Sequence, residues 1–163
     1  MSLQLKKTSG GLWTIDLPVK VKGGRTWQET VLAGAPNTSE RSDIWKYEDC
    51  LFLLSMLVDQ EFPITVSLFG YDRNWTLQEG CDFAATNCLV LAGLREVLAV
   101  GESYPNLCKD LGKDAISIIS IKGYGGDSIR APGLWMSNCD ERAAFLKFFN
   151  EQAHPDCFFA VRR

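Results

Sequence analysis

The sequence predicts an α/β protein, or one of the related α+β class, with a single-domain mixed β-sheet and about three helices in the order β-β-α-β-α-β-α-β. Two patterns support this fold class. Some short segments alternate between apolar and polar residues or are continuously apolar, as strands are, and longer segments carry apolar residues every three or four positions, as helices do. The two kinds of segment follow one another along the chain, which favours helices packed on one shared sheet.

The first two strands are predicted to form a hairpin. From Leu12, the segment LWTIDLPVKVK alternates between apolar and polar residues, so one face is expected to be buried. Pro18 lies among the polar positions and favours an edge strand or a bulge. Gly23 and Gly24 are typical of a turn, and the following TWQETVLAG is predicted to be a second, short strand.

Two long helices are predicted in the middle of the chain. The first begins at Ser42 or Asp43, whose side chains can cap a helix, and runs to about Gln60. Its second half is apolar almost all round, so we expect it to be buried or to form an interface. The second helix follows a capping-box pattern and runs from Leu77 to about Val100. Its many small residues predict a central core helix.

Three further strands and a last helix complete the prediction. The segments FPITVSLFGY (62–71) and AISIISI (115–121) are rich in β-branched residues, and the second carries isoleucine on both faces, as a strand covered on both sides does. The segment DERAAFLKFFNEQ (140–152) is predicted to be a helix because its apolar residues have helical spacing. CFFAVRR (157–163) is predicted to be the final strand.

The composition is that of an ordinary globular protein. Of the 163 residues, 46% are apolar and 23% are charged, which is enough for the core of one domain. Residues 1–11 are polar and end in two glycines, so we predict a flexible leader followed by a single domain over residues 12–163.

Charge and hydropathy argue against two classes of partner. The net charge is −3 and the 17 basic residues are spread along the chain, which argues against nucleic acid. No apolar segment approaches the roughly 18 residues that span a bilayer, and the N-terminus does not have the pattern of a secretory signal. We therefore expect no membrane partner and a cytoplasmic location.

The six cysteines are expected to be reduced and mostly buried, because the chain is long, rich in apolar residues and predicted to be cytoplasmic. No two have the C-x₂-C spacing of zinc sites and there is one histidine, so we predict no metal site, and no motif suggests a cofactor. Cys50 and His154 would be the pair of a cysteine hydrolase. However, Cys50 is expected about two turns inside its helix, beyond most of the dipole effect that lowers a thiol pKa.

One loop is the leading candidate for a ligand site. It follows the fourth predicted strand and consists of Lys122, Gly123, Tyr124, Gly125, Gly126, Asp127 and Ser128, with Arg130 just beyond. Ligands of α/β proteins bind at the carboxyl ends of strands, and glycine amides with two basic side chains favour an anion. The pattern is neither a dinucleotide fingerprint nor a P-loop, and no helix follows it, so a plain turn is the competing interpretation.

Two residues after the third predicted strand extend this hypothesis. Asp72 follows the strand directly, and Trp75 and Trp135 would form walls of a pocket beside the glycine loop if both lie on the strand-end side. The alternative for Asp72 is a solvated or capping role, and for Trp75 an ordinary core position. Sequence spacing does not say which carboxylates converge, so no catalytic residue is assigned.

Two classes of function remain open. The first is a non-catalytic binding or protein-interaction domain, either of the inhibitor or immunity type or joined to a second copy as a homodimer. The second is an enzyme, or a binder of a small anionic ligand, that uses residues 122–130. We expect the first class, with another protein or a second copy of this chain as the partner, because the sequence contains no nucleophile–base signature.

Overall fold

The computed structural model describes residues 3–47, 60–122, 130–148 and 152–163. Within them the chain forms one eight-stranded mixed sheet with α-helices, which confirms the predicted α/β class, although the sheet has more strands than predicted. The strands are β1 (Lys6–Lys7), β2 (Trp13–Lys22), β3 (Glu61–Gly70), β4 (Val90–Leu91), β5 (Ala115–Ile119), β6 (Arg130–Ser137), β7 (Arg142–Phe148) and β8 (Cys157–Arg162). The helices in the described residues are α1 (Trp27–Gly34), α2 (Leu77–Thr86), α3 (Leu94–Ser103) and α4 (Leu107–Asp110).

The sheet is centred on β8. The strand order is β1-β2-β3-β8-β5-β6-β7, and β4 pairs with β8 outside this series. Neighbouring strands are antiparallel except β5 and β8, which are parallel. Phe158 and Phe159 of β8 are 1% and 0% exposed, as expected for a strand covered on both faces.

Each face of the sheet has its own apolar core. The first face packs against α1, α3 and α4, and it includes the alternating apolar side chains of β2. The second face packs against α2. Ile118 belongs to the first core and Ile119 to the second, and both are fully buried, so the two-sided burial predicted for β5 is confirmed.

The predicted second strand is wrong, because this segment forms helix α1. Thr26 and Glu29 make a capping box in which the Thr26 hydroxyl accepts from the Glu29 amide at 3.1 Å and the Glu29 carboxylate accepts from the Thr26 amide at 2.8 Å. The buried residues Thr30, Val31 and Gly34 have helical spacing. The T-x-x-E pattern was therefore a helix signal that outweighed the β-propensity of its neighbours.

The long helix predicted to reach Val100 is divided into α2 and α3. Cys88 has a φ of 53°, in the left-handed region that interrupts a helix, and β4 follows it and pairs with β8. The apolar run around Val90 and Leu91 thus belongs to the sheet. A short, continuously apolar run does not distinguish a buried helix from a buried strand by its periodicity, which is why the division was not predicted.

The last predicted helix is also wrong, because most of it forms strand β7, which pairs with the unpredicted strand β6. Asp140, with a φ of 64°, lies in the turn between them. Ala144 and Phe145 are 4% and 9% exposed and belong to opposite cores, so burial of both faces produced a run without alternation. Gly133 of β6 is needed because an added Cβ would lie 2.5 Å from the Ile118 carbonyl oxygen.

Two further predictions lie partly outside the described residues. Ser42 caps a short 3₁₀ helix, Asp43–Lys46, through a 3.3 Å hydrogen bond from the Ile44 amide, but the predicted continuation falls on residues 48–59, which are not described. Within the predicted leader, Lys6–Lys7 forms β1 on the edge of β2. The division into a leader and a single domain stays a prediction.

Glu102, near the end of α3, connects this helix to the segment between β2 and α1. Its carboxylate accepts hydrogen bonds from Lys22 Nζ and Arg25 Nη1, both at 2.8 Å, and its side chain is 26% exposed. Burial by itself would raise the pKa of the Glu102 carboxyl, but the hydrogen bonds and charges of Arg25 and Lys22 outweigh it and lower that pKa.

We expect Glu102→Gln to lower the free energy of unfolding at pH 7 by about 1–2 kcal/mol. Because folding lowers the Glu102 pKa, this stabilisation is fully present above the unfolded pKa of about 4.3 and is lost as the pH falls through the lowered value. Urea denaturation of both proteins from about pH 7 to pH 3 measures the difference. Glu40→Gln, at an exposed carboxyl, is the control. A difference that stays constant down to the lowest pH would contradict the electrostatic explanation.

Candidate functional site

The glycine loop lies mostly outside the described residues, which include Lys122 and Arg130 but not 123–129. The Arg130 guanidinium donates to the Asp43 carboxylate at 2.8 Å, so part of the positive charge expected to attract an anion is paired within the chain. The anion site at this loop stays a prediction.

The strand directions separate the two halves of the predicted site. β3 runs antiparallel to β8, and β5 runs parallel to β8. Asp72 follows the end of β3 and Lys122 follows the end of β5, so the two residues lie at opposite ends of the sheet. A pocket shared by the segment after β3 and the glycine loop is therefore not what this topology produces.

Trp75 lies in the core of the second face. Its side chain is fully buried, its ring centroid is 5.4 Å from that of Phe159, and its indole Nε1 donates to the Cys157 carbonyl at 3.3 Å. Its backbone also pairs with Ala153. Trp75 is therefore a core residue rather than an exposed wall of a pocket.

Of the five described cysteines, Cys88 and Cys139 are exposed and free, and Cys81, Cys108 and Cys157 are partly or fully buried. Burial raises the pKa of the Cys81, Cys108 and Cys157 thiols, which disfavours the reactive thiolate. Cys50 lies outside the described part of the chain, and His154 is exposed. Across residues 3–47, 60–122, 130–148 and 152–163, no group of three or more histidine, cysteine or acidic side chains could hold a metal ion, and no helix is long and apolar enough to cross a bilayer.

A cavity of about 360 Å³ lies at the end of the sheet where β2 and β8 begin and β3 ends. We call it the Trp13 slot. Its lining includes Leu5, Trp13, Tyr71, Asp72, Lys113 and Phe158. Of the predicted site residues, Asp72 therefore does line a cavity, although with different neighbours from those expected.

Strand register builds the slot from residues that are far apart in the sequence. Trp13 of β2 pairs with Lys7 of β1 on one side and with Gly70 of β3 on the other. Gly70 leaves room for the ring of Phe158, since an added Cβ would lie 2.7 Å from that ring. The rings of Phe158 and Trp13 therefore both line the slot. Asp72 lies two residues after Gly70 and lines the same cavity.

A cation of the chain itself contacts two residues that line the slot, Trp13 and Asp72. The ammonium of Lys7 lies 5.7 Å from the centroid of the Trp13 ring, within cation–π range, and 3.4 Å from the Asp72 carboxylate. The Lys7 and Asp72 side chains are 54% and 57% exposed, so the pair lies at the protein surface, where Asp72 also lines the slot. An ion pair this exposed contributes only about 0–1 kcal/mol.

The neighbouring charges are paired elsewhere. Lys113 donates to Asp156 at 2.5 Å. Without Lys7, the slot and its rim would thus carry two carboxylates, Asp72 and Asp156, against the single ammonium of Lys113. Such a balance favours a positively charged ligand.

Tyr71 forms one side of the slot, and its ring is held by other contacts. The Arg73 guanidinium lies 4.8 Å from the Tyr71 ring centroid and pairs with Glu79 at 2.8 Å. The hydrogen bond from Arg73, followed by that from the Thr76 backbone, lowers the pKa of the Glu79 carboxyl. Burial, reinforced by the Glu79 charge, raises the pKa of the Tyr71 phenol, which therefore stays neutral. The Tyr71 ring is thus paired with Arg73, and the Trp13 ring is the one that contacts the Lys7 ammonium.

A wider cavity of about 760 Å³ lies at the opposite end of these strands from the Trp13 slot, where β2 ends and β3 begins. Its described lining includes no aromatic ring, and its charged walls are already paired, with Lys20 to Glu61 at 3.2 Å and Lys22 to Glu102 at 2.8 Å. It offers a ligand fewer specific contacts than the Trp13 slot does, in spite of its volume.

Compared with known proteins, the chain matches no family model, no curated protein and no solved structure. Function is therefore inferred from the residues of the slot. Sequence reasoning missed Lys7, which lies in the predicted leader, and placed Trp13 in a strand without assigning it to a site. The available signal for β1 was the alternation of Leu3 and Leu5 with Gln4 and Lys6, which puts Lys7 on the same face as Leu5.

Proposed function

We propose that this chain is a non-catalytic binding protein whose partner presents a primary ammonium group, most simply the lysine side chain of another protein. The observation that carries the proposal is the position of Lys7, whose ammonium contacts both the Trp13 ring and the Asp72 carboxylate. A group of the same chemistry from a partner would find the same two contacts there.

The slot offers a contact to each part of a lysine side chain, both its ammonium group and its methylene groups. The Trp13 ring attracts a cation, the Asp72 carboxylate pairs with it, and the apolar side chains of Leu5 and Phe158 suit its methylene groups. The net charge of −3 attracts cationic partners over a longer range. A neutral apolar side chain of the same length would lack the first two contacts.

The slot has the properties of a binding site rather than those of a catalytic one. Asp72 pairs with Lys7, and Lys113 pairs with Asp156, so the described lining contains no unpaired carboxylate beside an unpaired base. The Tyr71 phenol has a raised pKa and is a poor general base near neutral pH. We therefore favour recognition over reaction.

We expect Nα-acetyl-lysine methylamide to bind the full-length protein with a Kd of roughly 30–200 mM, because one exposed ion pair and one cation–π contact together contribute about 1–2 kcal/mol. In Asp72→Asn the Kd should rise about threefold to fivefold, since the carboxylate charge is lost while the side-chain shape is kept. Titration followed by the indole N–H resonance of Trp13 in NMR, assigned with Trp13→Phe, measures both values.

Two controls accompany this titration. Asp140→Asn makes the same chemical change in the β6–β7 turn, where asparagine tolerates the φ of 64°, and should bind like the wild type. Nα-acetyl-norleucine methylamide, which lacks the ammonium, should not bind. Equal binding by the norleucine compound, or by Asp72→Asn, would overturn the proposal. Binding of inorganic phosphate that disappears in Lys122→Ala/Arg130→Ala would instead support the predicted anion site.

A further inference from the structure

In the part of the chain that the structure describes, β1 is the strand that adds to the outer edge of β2. β1 pairs there with Trp13 and Thr14. Further along, Pro18 has no amide hydrogen, and its carbonyl accepts a 2.8 Å hydrogen bond from the Tyr104 hydroxyl. The Lys22 carbonyl is likewise bound by Arg95. The rest of the edge is thereby protected against strand addition, and its first part is covered by β1.

The segment from Leu5 to Lys7 places alternate side chains against the slot, where Leu5 lines the cavity and Lys7 contacts Trp13 and Asp72. Leu5 and Lys7 point to the same face, where Leu5 packs against the first core and Lys7 lies over Trp13. Lys6, between them, is exposed and pairs with Thr14 through the backbone. The slot therefore accommodates an extended segment with an apolar residue two positions before a lysine.

We propose that the cationic partner binds as an extended segment with this apolar-x-lysine pattern, adds as a strand to the start of β2, and takes the place of β1. The inference rests on the proposed function, since it specifies how the lysine reaches the slot. Main-chain hydrogen bonds to β2 would supply affinity, and the Trp13 ring with Asp72 would supply selectivity for the lysine.

β1 is attached to β2 by few contacts, but a short turn keeps it close to β2. The strand has two residues, and both are exposed. It is tethered by the turn after it, in which the Thr8 amide donates to the Leu12 carbonyl at 2.7 Å and the Gly11 amide donates to the Thr8 carbonyl at 3.0 Å. The tether keeps β1 at an effective concentration on the order of millimolar, so β1 acts as an internal competitor against partner segments.

Two full-length variants separate backbone replacement from side-chain replacement. Lys6→Pro removes an amide from β1 and loosens the whole strand, because proline cannot donate to the ladder. Lys7→Ala leaves the backbone pairing and removes only the ammonium. Each variant is titrated with Nα-acetyl-lysine methylamide and with a peptide of sequence LQLKKTS, which copies residues 3–9. Thermal denaturation checks folding, and Lys6→Gly, which weakens the strand and keeps its amide, is used if Lys6→Pro does not fold.

Lys7→Ala should bind the amide about fivefold more tightly than the wild type, because the internal competitor has lost its charge. Lys6→Pro should bind the peptide at least about tenfold more tightly than the wild type, and its preference for the peptide over the amide should exceed that of Lys7→Ala by about fivefold or more. Norleucine in place of the second lysine of the peptide should remove most of this gain.

If the preference for the peptide over the amide is the same in both variants, strand replacement is overturned while the lysine slot stands. If neither probe binds any variant, the proposed function fails together with this inference. Light scattering on the same samples identifies one more contradictory outcome: concentration-dependent dimers of Lys6→Pro without peptide binding would assign the open edge to a second copy of this chain.

Discussion

Trp75→Ala is expected to lower the free energy of unfolding by about 3–5 kcal/mol, which is the usual cost of removing a large buried aromatic side chain. The Trp75 side chain is fully buried, contacts Phe159, and donates its indole hydrogen to the Cys157 carbonyl. Urea denaturation followed by far-ultraviolet circular dichroism measures the change without relying on tryptophan fluorescence.

Trp13→Ala is the matched comparison for Trp75→Ala. Trp13 is half-buried at the slot, so its loss should cost less stability, about 1–2 kcal/mol, and should remove the binding of Nα-acetyl-lysine methylamide. The two tryptophans are thereby assigned different roles. A stability change below about 1 kcal/mol in Trp75→Ala, together with loss of lysine-amide binding, would contradict this assignment and make Trp75 a residue of the binding site.

Gly101→Ala is expected to destabilise the protein by roughly 3 kcal/mol, although alanine is the better helix former. α1 and α3 cross with their backbones in contact, and a Cβ at Gly101 would overlap the Gly34 carbonyl oxygen and come within 2.8 Å of Leu134 Cδ2. A Cβ at Gly34 would in turn overlap the Leu98 backbone. Backbone atoms cannot rotate away, so the two helices would have to move apart.

Gly80→Ala is the control for this substitution, since Gly80 also lies within a helix. Its added Cβ would meet only side-chain atoms, the nearest being Ile121 Cδ1 at 3.0 Å, and side chains can shift. We expect a change within about 1 kcal/mol of zero. Thermal and urea denaturation of both variants provide the comparison. Equal destabilisation of the two would contradict the backbone contact between α1 and α3 as the cause.

The prediction of individual elements succeeded for β2, β3, β5 and β8 and failed for α1, β4, β6 and β7. The alternation in β2 appears in the structure as buried Ile15, Leu17, Val19 and Val21. In β7, by contrast, Ala144 and Phe145 belong to opposite cores, and β4 has only two residues, Val90 and Leu91, so neither segment alternates. Such segments resemble buried helices, and only their hydrogen-bonding partners determine which structure forms.

The candidate site was predictable only in part. Asp72 was singled out because it follows a strand, and it does line a cavity. Its partner Lys7 lies 65 residues earlier, in a segment that was predicted to be a flexible leader. No local pattern connects the two residues, since their proximity depends on β1 pairing with β2 and β2 with β3.

What holds for the Trp13 slot holds for the whole fold: some features follow from the sequence of one segment, and others depend on contacts between distant segments. Composition and periodicity by themselves determined the α/β class, the half-buried β2 and the two-sided β5, because these depend on the apolar pattern within one segment. The tertiary structure decided that β4 pairs with β8, that β6 and β7 form the far edge, and that Asp72 and Lys122 lie at opposite ends of the sheet. The physical reason is that strand order and direction arise from backbone hydrogen bonds between distant segments, and the sequence of any one segment does not encode its neighbour.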